Sequence, residues 1–201
     1  AINTSVYTYS FEKAVTIREK LHVEQNLVIG HVGRFDAQKN HTFLLDIFSE
    51  CVNIVPNARL LLVGDGEGRT QIQEKAKSLG LEEKVIFTGV RNDVADLLQA
   101  MDVFVFPSLY EGVPVTMIEA QASGLPCVIS DGVPKDCVIT SGLVTSMKLS
   151  DRPCDWAKHI AAQLNRKREN HLEEIQAAGY DIVTAAKELE NFYLKKYGEE
   201  S

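Results

Sequence analysis

Apolar residues in this chain arrive in two alternating rhythms. Short apolar runs, each followed by turn-forming residues, fall at 27–32, 59–63, 84–87, 103–106 and 127–129 and predict buried strands. Between them the apolar positions recur three and four apart. In 41–54 they are Phe43, Leu44, Ile47, Phe48, Cys51 and Val52, the stripe of an amphipathic helix. Comparable patterns predict helices at 11–21, at 69–79 (stopped by Gly80), at 94–101 and at 114–123. A weaker run at 142–145 predicts a sixth strand. Beyond Asp151 the pattern is helical only, at 155–168, 172–178 and 182–196. Strands alternating with helices imply βαβ units. The expected fold class is therefore α/β, a Rossmann-like parallel sheet of about six strands flanked by helices. Residues 1–26 read as a connector with a leading helix, 27–170 as the sheet domain, and 171–201 as C-terminal helices. No internal repeat is visible.

Composition narrows the function more than the fold. The length of 201 residues suits one domain, and 45% apolar content is ordinary for a globular one. A net charge of −7 argues against a nucleic-acid surface, so an anionic ligand would need a local basic pocket. No apolar run approaches the ~20 residues of a membrane span, and no signal peptide is visible. Cys51, Cys127, Cys137 and Cys154 lack metal-ligand or C-x-x-C spacing and fit reduced thiols in a cytoplasmic protein. The chain starts Ala1-Ile2-Asn3 without a methionine, as expected of a processed chain or a fragment of a longer one.

Ligands of parallel α/β sheets bind outside the carboxyl ends of the strands. The distinctive residues follow the strands: Gly33-Arg34, Gly64-Asp65-Gly66-Glu67-Gly68, Gly89-Val90-Arg91, Pro107 through Gly112, and Ser130-Asp131-Gly132. Glu111 and Glu119 are the most informative pair. Pro114 is placed to open a helix, which puts Glu111 in the loop before it and Glu119 inside it. Free N–H groups around Gly112, Val113 and Val115 would attract an anion between the two carboxylates. Arg34 offers a planar fork for phosphate oxygens and Lys39 a point charge. Gly33 lets a phosphate approach the backbone, and Asn40 is a candidate helix cap. One pocket holding all four charged side chains is the expectation. Gly89, Val90 and Arg91 offer groups for a nucleobase edge, although Arg91 serves equally as a surface charge. The Gly64-x-Gly-x-Gly turn is either a tight turn capped by Asp65 or room for a base or ribose; it is not a dinucleotide fingerprint. As an acid/base pair for glycoside hydrolysis, Glu111 and Glu119 are not excluded by spacing, since such carboxyls lie about 5–9.5 Å apart. Their cationic neighbours favour an anionic ligand instead. The five histidines show no ligand spacing, and no metal site is expected. His31 is expected to be a satisfied structural residue, and Asp102 to orient the start of the fourth strand.

Taken together, Gly33-Arg34, Lys39-Asn40, Leu62-Val63-Gly64-x-Gly66, Val85-x-Phe87-x-Gly89, Pro107-Ser108, Glu111-Gly112-x-Pro114, Glu119-Ala120 and Gly124-Leu125-Pro126 resemble the retaining glycosyltransferases of family 4. The resemblance is to the second, donor-binding half of a two-domain GT-B enzyme, and covers roughly 27–131. It implies a nucleotide-diphospho-sugar, such as a UDP sugar, as donor substrate. Arg34, Lys39 and Glu111 would be catalytic. Gly33, Gly89, Val90, Arg91, Gly112, Val113, Pro114, Val115 and Glu119 would join them in binding the donor, with Glu111 at the sugar and Glu119 at the ribose. It implies no metal and no cofactor. The partners would be an N-terminal acceptor domain of the same protein and a glycan or lipid-linked acceptor of exopolysaccharide or capsule synthesis, with no nucleic acid. The location would be cytoplasmic, extending to the inner membrane face, and the chain alone would transfer no sugar. Helices in 171–201 would dock on the other domain. One departure concerns 132–136, Gly-Val-Pro-Lys-Asp, where the family has a glycine-rich turn and then a glutamate; Asp136 is the candidate substitute, and the sugar stays open. The competing readings are a non-hydrolysing sugar-nucleotide epimerase, whose extra acids and histidines are not found, and a non-catalytic nucleotide-binding module.

Overall fold

The buried runs assemble into a six-stranded, all-parallel sheet. The computed structural model describes residues 1–140, 142–163 and 166–197. Its strands are β1 (Val28–Val32), β2 (Arg59–Val63), β3 (Val85–Phe87), β4 (Val103–Phe106), β5 (Cys127–Ser130) and β6 (Val144–Met147), in the order β3-β2-β1-β4-β5-β6. The helices are α1 (Thr4–Tyr7), α2 (Phe11–Leu21), α3 (His41–Ile54), α4 (Arg69–Ser78), α5 (Val94–Ala100), α6 (Val115–Ala122), α7 (Pro153–Ala161), α8 (Leu172–Ala177) and α9 (Ile182–Tyr197).

Both faces of the sheet are covered, which is why its strands read as continuous apolar runs. On one face Val28, Val32, Leu61, Phe104 and Ile129 pack with Ile17, Leu97, Met117, Ile118 and Ile175 from α2, α5, α6 and α8. On the other, Ile29, Leu60, Leu62, Val105 and Val128 pack with Leu44, Phe48, Ile72 and Trp156 from α3, α4 and α7. Asp102 ties the amino end of the sheet: its carboxylate accepts from Val28 N at 2.7 Å and from Arg18 at 2.6 Å. Its own amide donates to Val28 O at 2.8 Å, so the residue ties the entry of β4 to the start of β1.

Most element boundaries lie within a residue of expectation, and three of the differences have a clear cause. Pro114 is the residue before α6, extended at φ −73° and ψ 100°, so the helix starts one residue later. The sixth strand runs Val144–Met147 because its register is set by β5, from Cys127 opposite Val144 to Ser130 opposite Met147. The helix expected at 155–168 is α7; it starts earlier because Pro153 suits a first turn. Residues 141, 164–165 and 198–201, which fall in the expected 27–170 domain, the 155–168 helix and the 171–201 segment, lie outside the described residues. The short helix α1 carries no periodic signal and was not foreseen.

The first residues are stitched to the segment that leads into α9. Ile2 N donates to Tyr180 O at 2.7 Å, Ile182 N to Ile2 O at 2.8 Å, and Thr4 Oγ1 to Asp181 Oδ1 at 2.6 Å. Beyond that point α9 buries none of its residues and exposes Val183, Leu189, Phe192, Tyr193 and Leu194. No helix among the described residues is long and apolar enough to cross a membrane.

Candidate functional site

From β1 the chain winds outward to β2 and β3; from its neighbour β4 it winds the other way, to β5 and β6. The loops leaving β1 and β4 therefore diverge, and their divergence opens a crevice at the carboxyl edge. The loop after β1 holds Gly33, Arg34, Gln38, Lys39 and Asn40; the loop after β4 holds Glu111, Gly112 and Val113.

Side chains and backbone cross between these loops. Leu109 N donates to Gln38 O at 2.8 Å, and Gln38 Nε2 donates to Tyr110 O at 3.0 Å and to Glu111 Oε2 at 3.3 Å. Lys39 Nζ donates to Glu111 Oε1 at 2.6 Å and lies 4.8 Å from the Phe106 ring centroid. Asn40 Nδ2 donates to Pro107 O at 3.1 Å. Asn40 was expected to cap α3 through its side chain. Instead its backbone is left-handed (φ 55°), a region asparagine tolerates, and its amide is spent on the other loop. The loop after β5 joins in, with Glu111 N donating to Gly132 O at 3.1 Å.

Gly64 sets the spacing between the β1 and β2 loops. Its φ is +134°, and a Cβ there would collide with the carbonyl oxygen of Gly33. Its amide donates to Gly89 O at 2.9 Å, so the loops after β1, β2 and β3 are held edge to edge. Asp65 caps the glycine turn, accepting from Gly66 N at 2.8 Å, and also holds Arg69 at 2.9 Å.

The expected residues are brought together in part. Lys39 and Glu111 meet, with side chains 17% and 5% exposed. Arg34 is exposed, and among the described residues it has no ion-pair partner. It walls a concavity of about 1080 Å³ with Asn40, His41, Asp65, Gly66 and Gly68, which neither Lys39 nor Glu111 lines. Glu119 lines a separate cleft of about 470 Å³ with Tyr7, Lys13, Asp93 and Asp96. The expectation of one pocket for all four charged side chains is thus corrected. The turn of α6 carries Glu119 towards α1, where the Tyr7 hydroxyl donates to Oε1 at 2.6 Å. Burial raises the Glu119 carboxyl above its usual range, while the Tyr7 hydrogen bond opposes that rise. Gly112, Val113 and Val115 are exposed, Pro114 is buried, and Gly89 takes a left-handed φ of 71° beside exposed Val90. Arg91 is engaged by Asp93 at 2.6 and 2.8 Å, which is its surface-charge role. Asp93 spends its carboxylate there rather than on capping α5.

Two histidines lie behind the β1 loop. His31 Nδ1 donates to Val105 O at 2.9 Å, but its Nε2 has no partner among the described residues, nor does either nitrogen of His41. His31 is only half satisfied. The two rings meet edge-on at 4.7 Å, and His41 stacks on Phe35 at 4.2 Å. Burial holds His31 well below the ordinary histidine range and brings His41 down to about 4, so both are neutral. Among the described residues, no group of three or more His, Cys, Asp or Glu is placed to hold a metal ion.

Gln38 and Tyr7 were not foreseen. Gln38 sits beside Lys39 and would be found by asking what steadies a buried carboxylate. Tyr7 lies 112 residues from Glu119 and offers no local signal.

Comparison with known proteins agrees with this geometry. The family described as glycosyl transferases group 1 matches residues 26–166. EpsF of Bacillus subtilis (strain 168) is 42% identical over 170 residues, covering 83% of this chain and 44% of EpsF. The Escherichia coli UDP-Gal:alpha-D-GlcNAc-diphosphoundecaprenol alpha-1,3-galactosyltransferase is 34% identical over 128 residues, covering 61% of this chain and 33% of that enzyme. The chain thus spans less than half the length of these relatives. In fold it matches Anabaena HepE, crystallised with UDP and glucose, at a TM-score of 0.82 and 24% identity, over 96% of this chain and 54% of HepE.

Proposed function

Since the chain belongs to the group 1 glycosyl transferases, we propose that it is the donor-binding half of a retaining enzyme that moves a sugar from a nucleoside diphosphate to a glycan or lipid-linked acceptor. The observation that carries this reading is the Lys39–Glu111 contact across the switch point of the sheet, with exposed Arg34 on the same loop as Lys39. As the bond from sugar to diphosphate breaks, negative charge grows on the leaving phosphate oxygens. Preorganised cations aimed at that charge lower the barrier. Arg34 supplies one without an ion-pair partner among the described residues and Lys39, on the same loop, one that Glu111 holds in place, and the exposed residues Gly112, Val113 and Val115 at the start of α6 supply further amide donors. Side chains thereby take the part a metal ion plays elsewhere, and no cofactor is needed.

Glu111 faces the donor sugar, Glu119 the ribose, and Gly89 and Val90 the base. Arg91, whose side chain is held by Asp93, contributes through its backbone. The E. coli relative, named for UDP-galactose and a lipid-linked diphospho-sugar, supports a UDP sugar and a lipid-linked acceptor of polysaccharide synthesis. Such an acceptor sits at the cytoplasmic membrane face. A further domain of the same protein would bind it and close over this edge, and the exposed apolar stripe of α9 suits docking on that domain.

Calorimetric titration with UDP tests the donor reading. Arg34→Ala and Lys39→Ala should each weaken binding about tenfold, or about 1.4 kcal/mol. Unchanged affinity in both would remove the diphosphate clamp.

A further inference from the structure

We infer that Tyr7 is a positioning residue for the nucleotide's ribose: it fixes Glu119 by holding one carboxylate oxygen, leaving the other to accept from a ribose hydroxyl. This rests on the donor reading above, which places the ribose at Glu119.

The geometry is specific. Tyr7 Oη donates to Glu119 Oε1 at 2.6 Å. Among the described residues Oε2 has no hydrogen-bond partner, and Glu119 lines the cleft of about 470 Å³, within the range of small-molecule sites. A carboxylate accepts only, so an oxygen already taken by Tyr7 directs the incoming hydroxyl to the other. Burial raises the Tyr7 hydroxyl above its ordinary range, so it keeps its proton and remains a donor near neutral pH.

Tyr7 is itself held from two directions. Gln99, only 2% exposed, accepts from Ser10 N at 3.0 Å and donates to Tyr7 O at 3.4 Å, gripping both ends of the turn that follows α1. At the other end of α1, Thr4 is fixed to Asp181 at 2.6 Å. A hydroxyl anchored this way is preorganised, which is what orienting a ligand group requires. The remaining charges around the cleft are already paired: Lys13 with Asp96 at 3.4 Å and Asp93 with Arg91 at 2.6 Å. Glu119 offers the cleft a carboxylate oxygen that is fixed from behind, whereas Asn92, which also lines it, is an exposed side chain.

The test is calorimetry on the 201-residue chain with two probes, UDP and 2′,3′-dideoxyuridine diphosphate. The unmodified chain should prefer UDP, and Glu119→Gln should erase most of that preference. Tyr7→Phe should lose about fivefold on UDP, the size of one ordinary hydrogen bond, and nothing on the dideoxy nucleotide. A Tyr7→Phe protein that keeps the original preference overturns the proposal. One that loses equally on both probes also overturns it, because that marks a structural role. Failure of the donor reading looks different: the unmodified chain binds neither probe, or its preference survives Glu119→Gln. Either result removes the positioning role as well.

Discussion

Lys39 Nζ and Glu111 Oε1 lie 2.6 Å apart, joining the two halves of the sheet at the point where its winding reverses. With the carboxylate 5% exposed, the pair is more than a surface ion pair, and removing one partner strands a buried charge. Arg34, on the same loop, is exposed and has no ion-pair partner among the described residues. Two cations proposed for one role should therefore differ in stability. Lys39→Met should destabilise the fold by about 3 kcal/mol, and Arg34→Ala should stay within about 0.5 kcal/mol of the unmodified chain. Adding Glu111→Gln to Lys39→Met should recover part of the loss, because no charge is then left unpaired. Urea denaturation of the four proteins measures this, and equal stabilities for Lys39→Met and Arg34→Ala would contradict it.

Gln38 steadies the other oxygen of Glu111 and the carbonyl of Tyr110. Gln38→Leu gives up both bonds and should cost about 1–2 kcal/mol. Gln38→Glu should cost more, since it sets a second carboxylate against Glu111 Oε2. Thermal unfolding at neutral pH ranks the two, and a glutamate variant as stable as the leucine one would show that the amide does not face the carboxylate in solution.

How much of this was readable beforehand follows from the range of each interaction. Buried runs such as 59–63 and 103–106 report burial on both faces, a local property, and those strands stand where the pattern put them. Gly33, Lys39 and Glu111 were legible because strand ends and loop chemistry are also local. The placement of Glu119 was not. The rise along α6 gives its distance from Pro114, but which element covers its side of the helix depends on how α1 packs. That packing is fixed by Ile2, Thr4 and Asp181, contacts spanning nearly the whole chain. The same limit hid the Gln38 bridge, which exists only once β1 and β4 are neighbours.

Gly64 ought to be intolerant of substitution. Its φ of +134° strains any side chain, and a Cβ would strike backbone, the Gly33 carbonyl, rather than a side chain that can yield. Gly64→Ala should cost more than about 3 kcal/mol, combining backbone strain with displacement of the loop that carries Arg34. Gly80 provides the contrast: it is also left-handed, at φ +68°, but a Cβ there would meet nothing within 4 Å. Gly80→Ala should cost about 1 kcal/mol, from backbone strain alone. Chemical denaturation that found the two equal would argue that the β1 and β2 loops are not in contact.

The buried histidines give the chain an acid limb of predictable sign. An unfolded histidine titrates near 6.5. In the fold His41 is brought down to about 4 and His31 is held well below its ordinary value, in both cases chiefly by burial. Below pH 6.5 the unfolded chain binds protons that the folded chain does not, so stability must rise with pH through this window. The contribution is complete above 6.5 and is lost as the pH falls from 6.5 towards 4. Each fully differential histidine adds about 1.4 kcal/mol per pH unit to the slope. His41→Leu removes one of the two groups and also two ring nitrogens that lack partners among the described residues. Whatever it does to stability at pH 8, it should roughly halve the histidine contribution to the slope between pH 5 and 6, above the range where exposed carboxylates titrate. Urea midpoints across that interval read the slope directly. A His41→Leu slope equal to that of the unmodified chain would mean that His41 takes up its proton in the folded state, and that the ring stacked on Phe35 is not shut away from water.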